Sequence, residues 1–189
     1  MSKQRNGRRQ MLLIAFLCAA PIIAAFLAYY FWQPHKQTNY GDLLPVRQLP
    51  EGRLELLEGK PLRLAALKGK WIMVSIDSGD CKAACADKLL IMRQLRLMQG
   101  ADMDRIERVF LITDELPLTT LLIREFDGTH MARVHERKFT DAFPATDSPE
   151  KHIYLVDPYG NLMLRFPVNP DPARMNADLQ RLLKAQGAS

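Results

Sequence analysis

Apolar residues fall into blocks along this chain, and their spacing changes from one block to the next. The first block is continuous: residues 11–32 hold 22 positions without a charge. At ~1.5 Å per residue a helix of that length spans about 33 Å, enough for a bilayer core. Pro21 lies inside it, which a membrane helix tolerates. Tyr29, Tyr30, Phe31 and Trp32 form the aromatic end expected at a membrane interface. Residues 33–50 are polar and carry Pro34, Gly41, Pro45 and Pro50, so they read as a linker. Residues 54–64 predict a hairpin turning at Glu58, Gly59 and Lys60.

The pattern then alternates between short runs and helical stripes. Trp71, Ile72, Val74 and Ile76 predict a buried strand, and Asp77-Ser78-Gly79-Asp80 breaks it. A helix follows, with Cys81 and Cys85 in its first turn, continuing through 87–99 and ending near Gly100. Ile91, Leu95 and Met98 are its expected inward stripe, and Met92 reads as core packing. Lys88, Arg93 and Arg96 are expected to face water. A second strand spans 108–114 and a second helix 118–126, with Pro117 near its start and Gly128 after its end. Residues 129–149, with His130, His135, Phe139, Phe143 and Pro144, read as a surface excursion holding part of a helix.

Strands at 152–156 and 162–166 flank a tight turn, Asp157-Pro158-Tyr159-Gly160-Asn161. Pro170-Asp171-Pro172 opens a last amphipathic helix with Met175, Leu179, Leu182 and Leu183 on one side. The order β-α-β-α-β-β-α is that of the thioredoxin fold, an α/β architecture. Strands joined by helices should be parallel and the final hairpin antiparallel. The expected organisation is a basic tail (1–10), a transmembrane helix (11–32), a linker (33–50) and a thioredoxin-like domain (51–189).

Charge refines this picture once it is divided. The net charge is +5, from 26 basic and 21 acidic residues. Lys3, Arg5, Arg8 and Arg9 precede the apolar block. Without those four, 22 basic residues face 21 acidic ones, a net of +1. The basic pI therefore comes mostly from the tail, and nothing points to nucleic acid. The positive-inside tendency places the tail in the cytoplasm and the domain outside, on the inner (cytoplasmic) membrane. No small-residue cleavage site follows Trp32, so the block reads as an uncleaved anchor. Cys18 reads as a plain apolar residue within it.

The exported part has two cysteines, four residues apart, too few to staple a small fold. A disulfide closing so small a loop adds little chain-entropy stability. The pair is therefore there for reactivity. A helix N-terminus favours thiolate over thiol, which singles out Cys81. Two such sulfurs can cycle between dithiol and disulfide, or hold Cu(I) or another thiophilic metal.

Lys68-Gly69-Lys70-Trp71 before the strand, Cys81-x-x-x-Cys85 after it, and Tyr154-Leu155-Val156-Asp157-Pro158-Tyr159-Gly160 in the hairpin resemble the Sco/SenC family. These are membrane-anchored thioredoxin-fold proteins of cytochrome oxidase assembly. The resemblance covers about residues 50–187 together with the anchor. It implies that Cys81 and Cys85 bind copper with a distant histidine and pass it towards the oxidase. The family's histidine position is Pro149 here, and His152 lies three residues on; Ala86 stands where the family has proline. The candidate metal set is Cys81 and Cys85, which carry over directly, with His152 as the nearby histidine that could complete it. Pro149 also stands near the place where thioredoxin-like reductases carry a cis-proline.

Two function classes follow, with a cytochrome oxidase subunit or another exported thiol protein as partner. One is a metal-binding assembly factor. The other is a thiol–disulfide oxidoreductase, specific to oxidase assembly or general and TlpA-like, in which Cys81 attacks and Cys85 resolves. A membrane-tethered scaffold with relic cysteines is the third reading.

Overall fold

The computed structural model describes residues 3–31 and 39–187. The chain divides into two units, Met1–Thr38 and Asn39–Ser189. In the first, α1 (Lys3–Phe31) contains Pro21. Its segment Arg9–Leu27, 19 residues of mean hydropathy 2.4, is long and apolar enough to cross a membrane. Apolar side chains such as Met11, Leu17 and Phe26 are exposed along it, as a lipid-facing helix requires. Cys18 is a free, exposed cysteine. Trp32, Pro34 and His35 lie outside the described residues.

The second unit is built on one mixed sheet. Its strands are β1 (Asp42–Gln48), β2 (Leu54–Leu56), β3 (Pro61–Leu62), β4 (Trp71–Asp77), β5 (Ile106–Ile112), β6 (His130–Val134), β7 (Ile153–Val156) and β8 (Asn161–Arg165). Their spatial order is β1-β8-β7-β4-β5-β6-β2-β3. β4 pairs parallel with β5, and β5 parallel with β6. β7 runs antiparallel to both β4 and β8. The helices are α2 (Ala83–Met98), α3 (Thr120–Glu125), α4 (Arg137–Thr140) and α5 (Pro172–Gly187).

β4 is buried along nearly its whole length because both faces are covered. Trp71 and Met73 join a core with Leu89, Met92 and Leu95 of α2 and Met175, Leu179 and Leu183 of α5. Ile72, Val74 and Ile76 point the other way, to a core with Leu54 of β2, Phe139 of α4, Phe143 and Tyr154. The result is a helix–sheet–cover sandwich, with β4 at its centre.

Three expectations change. Asp42–Gln48, read as linker, is a strand paired with β8, and Arg165 Nη2 meets Asp42 Oδ2 at 2.9 Å across that pair. Just before it, Tyr40 N and Gly41 N donate to the buried Asp178 carboxylate of α5, at 2.7 and 3.0 Å. Polar composition hid this segment because its strand lies on an edge and is mostly exposed. Residues 129–149 are no surface excursion: they supply β6, α4 and the buried Phe139 and Phe143. β6 is the strand delivered parallel by the α3 crossover, so β7 returns antiparallel. Finally, α2 buries Cys85, Lys88, Leu89, Met92 and Leu95, while Met98 is exposed. The inward stripe is thus rotated from the one read off Ile91, Leu95 and Met98.

The edges are irregular. β1 contains Pro45 and shifts register between Leu43 and Arg47. β3 is two residues long and begins with Pro61.

Asp178→Ala removes a charged acceptor from two backbone donors, and should lower the unfolding free energy by about 3 kcal/mol. Urea unfolding checks the value. Faster hydrogen exchange at Tyr40 and Gly41 should accompany it.

Candidate functional site

The site forms where β4 ends. Asp77 caps the turn, its Oδ1 accepting from Ser78 N at 2.9 Å. Residues 78–82 then lead to α2, whose N-cap is Lys82. Cys81 and Cys85 form a disulfide, with Cα atoms 5.1 Å apart. Cys85 lies in the first turn of α2 and is 2 % exposed. Cys81 precedes the helix at φ 33°, in the left-handed region, its N–H donating to Ser78 O at 3.1 Å. The sequence placed both sulfurs in one helical turn. Helical residues four apart hold their Cβ atoms about 5–6 Å apart, whereas a disulfide needs about 3.8 Å. The first cysteine therefore leaves the helical path to close the bond. Cys81 is the more exposed of the two residues, and Cys85 is buried in the α2 core.

The loop is seated against the next one. Asp114, two residues beyond β5, accepts from Ser78 Oγ at 2.6 Å, Gly79 N at 2.9 Å and Leu116 N at 3.2 Å. Arg133 of β6 donates to the carbonyls of Asp114 and Leu116. Desolvation pushes the Asp114 carboxyl up, but the bonds from Ser78, Gly79 N and Leu116 N outweigh it and hold it below the usual carboxylate range. Position 79 is glycine for a steric reason: a Cβ there would lie 2.1 Å from Leu116 O.

Lys88 was expected in water and is buried. Its Nζ pairs with Asp77 Oδ2 at 3.0 Å, donates to Ile76 O at 3.0 Å, and also reaches Glu150 O. One ammonium thus joins the end of β4, the helix bearing Cys85 and the Pro149–Lys151 turn. Burial lowers its pKa, against the opposing pull of Asp77 and Glu150. The stripe Cys85, Leu89, Met92 carried the signal for this face, since Lys88 sits within it.

His152 is buried, and both ring nitrogens face oxygen: Phe166 O at 2.8 Å from Nδ1, and Asp147 Oδ1 at 3.2 Å from Nε2. Nδ1 donates, because a carbonyl only accepts. His130 pairs with Glu107 at 3.4 Å and His135 with Glu55 at 3.2 Å. Among the described residues no group of three His, Cys, Asp or Glu is placed to hold a metal ion. No cis peptide bond occurs among them either, and Pro149 opens a 3₁₀ turn capped by Ser148.

The sequence profile of the family described as "Transmembrane-like, thioredoxin-like, C-terminal domain" matches residues 71–186. The chain belongs to that family. No curated protein matches the sequence. Among solved structures, copper-bound ScoI of Bradyrhizobium japonicum is similar over 72% of this chain and 99% of its own, at 21% identity and TM-score 0.56. Copper-bound yeast Sco1 is similar over 75% and 94%, at 15% identity and TM-score 0.60. A thiol:disulfide interchange protein from Bacteroides sp. is similar over 75% and 91%, at 17% identity and TM-score 0.58. The thioredoxin-like fold is therefore shared with Sco proteins and thiol–disulfide proteins alike; α1 lies ahead of the matched residues.

Lys88→Met strands the Asp77 carboxylate and two carbonyls, and should cost about 3 kcal/mol in chemical denaturation. Lys88→Met with Asp77→Asn should recover part of that loss. The folded chain holds the Lys88 proton less tightly than the unfolded chain, whose ordinary value is 10.5. Stability relative to Lys88→Met should therefore rise with pH in the window below 10.5.

Proposed function

We propose that this protein is a membrane-tethered thiol–disulfide exchanger of the Sco-like class, acting through Cys81 and Cys85 on exported thiol proteins. The observation that carries the reading is the disulfide itself, with one partly exposed cysteine and one buried cysteine at the end of the central strand. In the reducing direction a donor dithiol converts the pair to two thiols. The Cys81 thiolate attacks a client disulfide, forming a mixed disulfide and expelling one client sulfur as thiolate. Cys85 then attacks Cys81 Sγ, the second client sulfur leaves, and the disulfide is restored. Two electrons and two protons pass to the client. A polar cleft of about 400 Å³, lined by residues including Ile76, Thr113, Arg137 and Pro149, opens at the same strand ends and suits an extended client segment.

Lys3, Arg5, Arg8 and Arg9, ahead of the apolar block 11–32, support a cytoplasmic N-terminus and a domain on the outer side of the inner membrane. A cytochrome oxidase subunit is the client class favoured by the Sco-like fold.

The test is reduction of a disulfide substrate by the full chain in detergent, with a dithiol donor. Wild type should turn over. Cys81→Ser and Cys85→Ser should each lose at least about a hundredfold in rate, and Cys85→Ser alone should accumulate the mixed disulfide. A wild-type chain with a reduced pair and no turnover removes this reading.

A second reading, copper delivery, is supported by the copper-bound Sco neighbours. Once reduced, two thiolates that can come within bonding distance of each other can also converge on one Cu(I) as cargo. His152 fits this poorly, because both its nitrogens are engaged. Cu(I) affinity should rise with pH and vanish on oxidation. His152→Ala should change it by less than about tenfold, or ~1.4 kcal/mol, in chelator competition, while either Cys→Ser variant should abolish it.

A further inference from the structure

Alternate residues of β5 point to the α2 side of the sheet. Ile106, Phe110 and Ile112 are core residues there, and between them stands Arg108, 4 % exposed. Its Nη2 donates to Asp127 O at 2.8 Å. Its Nε and Nη1 are buried and have no partner among the described residues. A guanidinium does not deprotonate to relieve this, so the donors remain charged and unsatisfied.

Two further arginines lie close by. Arg96 of α2 donates from Nε to Ile106 O at 2.9 Å, two residues before Arg108 on the same strand face. Arg93 is three residues back on α2, so the two share a helix face, and it makes no ion pair among the described residues. Burial, and then the charges of Arg96 and Arg93, push the Arg108 pKa below its ordinary value. The neighbouring acids do not offset the cluster. Glu107 is engaged by Lys70 and His130. Asp127 caps its own Gly128 N at 2.8 Å. Asp104 meets Arg96 at 3.3 Å but is 81% exposed. Gly128 packs closely on the guanidinium: a Cβ there would lie 3.2 Å from Arg108 Nη2.

We propose that Arg108, flanked by Arg93 and Arg96, is a binding site for a small oxyanion of the phosphate class, entering between α2 and the Asp127–Gly128 turn. The anion supplies acceptors for the two partnerless nitrogens and offsets three like charges. A free phosphate and a lipid phosphate headgroup share this chemistry. The site is independent of the disulfide and of any thiol reaction.

The test titrates inorganic phosphate against chloride at matched ionic strength, using the full chain in detergent and following thermal unfolding. A saturable rise in Tm of about 3 °C or more is expected. Arg93→Gln with Arg96→Gln, both on the helix surface, should weaken the apparent affinity at least tenfold. Arg108→Met keeps an unbranched chain of similar length and should fold but lose the response; if it does not fold, the double variant decides. A response to short-chain phosphatidic acid in the micelle, with none to free phosphate, assigns the site to a lipid headgroup. No response to either, or an undiminished response in the Arg93→Gln/Arg96→Gln chain, overturns the proposal.

Discussion

The Lys88–Asp77 ion pair is the contact on which the arrangement of the site depends. A buried pair of this kind is weak evidence for stability, because desolvation of two charges offsets most of their attraction. Its effect here is one of placement. Asp77 closes the central strand, Lys88 lies one turn beyond Cys85, and the same ammonium holds the carbonyls of Ile76 and Glu150. Two neighbouring segments and the distant 149–151 turn meet at one donor group. An apolar side chain at position 88 would fill the space without fixing where the strand end, the helix and the 149–151 turn sit.

Around that fixed point, the loop carrying Cys81 is held on its other side by Asp114 and Arg133. Cys81 keeps a left-handed backbone, a conformation that costs a residue with a Cβ of order 1–2 kcal/mol. Such a conformation persists when its surroundings over-determine it, and here a disulfide, a hydrogen bond to Ser78 and the seated Gly79 do so. The pair is asymmetric as a result. Cys81 is partly exposed, and Cys85 is buried behind it in the core.

Much of this was legible before the structure. The apolar runs at Trp71–Ile76 and 108–114, the Asp157–Asn161 turn and the final amphipathic helix are strong local patterns, and they carry the thioredoxin-like core. The cysteine pair was legible because no other cysteine follows the apolar block to compete for thiol chemistry. What escaped was set by tertiary contacts. β1 looks like linker because an edge strand needs no buried stripe. β6 was hidden because Met131 and Ala132 are buried on opposite faces, so no period of two shows. Lys88 was misjudged by the rule that long cations face water. Cys81 left the helix for a covalent reason that spacing alone does not reveal.

The sheet has two open ends, β1 and β3, and neither is a usable template. An unpaired edge offers a row of backbone donors and acceptors to any passing strand. At β1, Pro45 lacks a donor and the shift between Leu43 and Arg47 bends the ladder out of register. At β3, two residues headed by Pro61 give an incoming chain almost nothing to pair with. The irregularities that made both segments hard to recognise as strands also keep neighbouring copies from zipping together edge to edge, so this eight-stranded sheet stays closed to intermolecular growth.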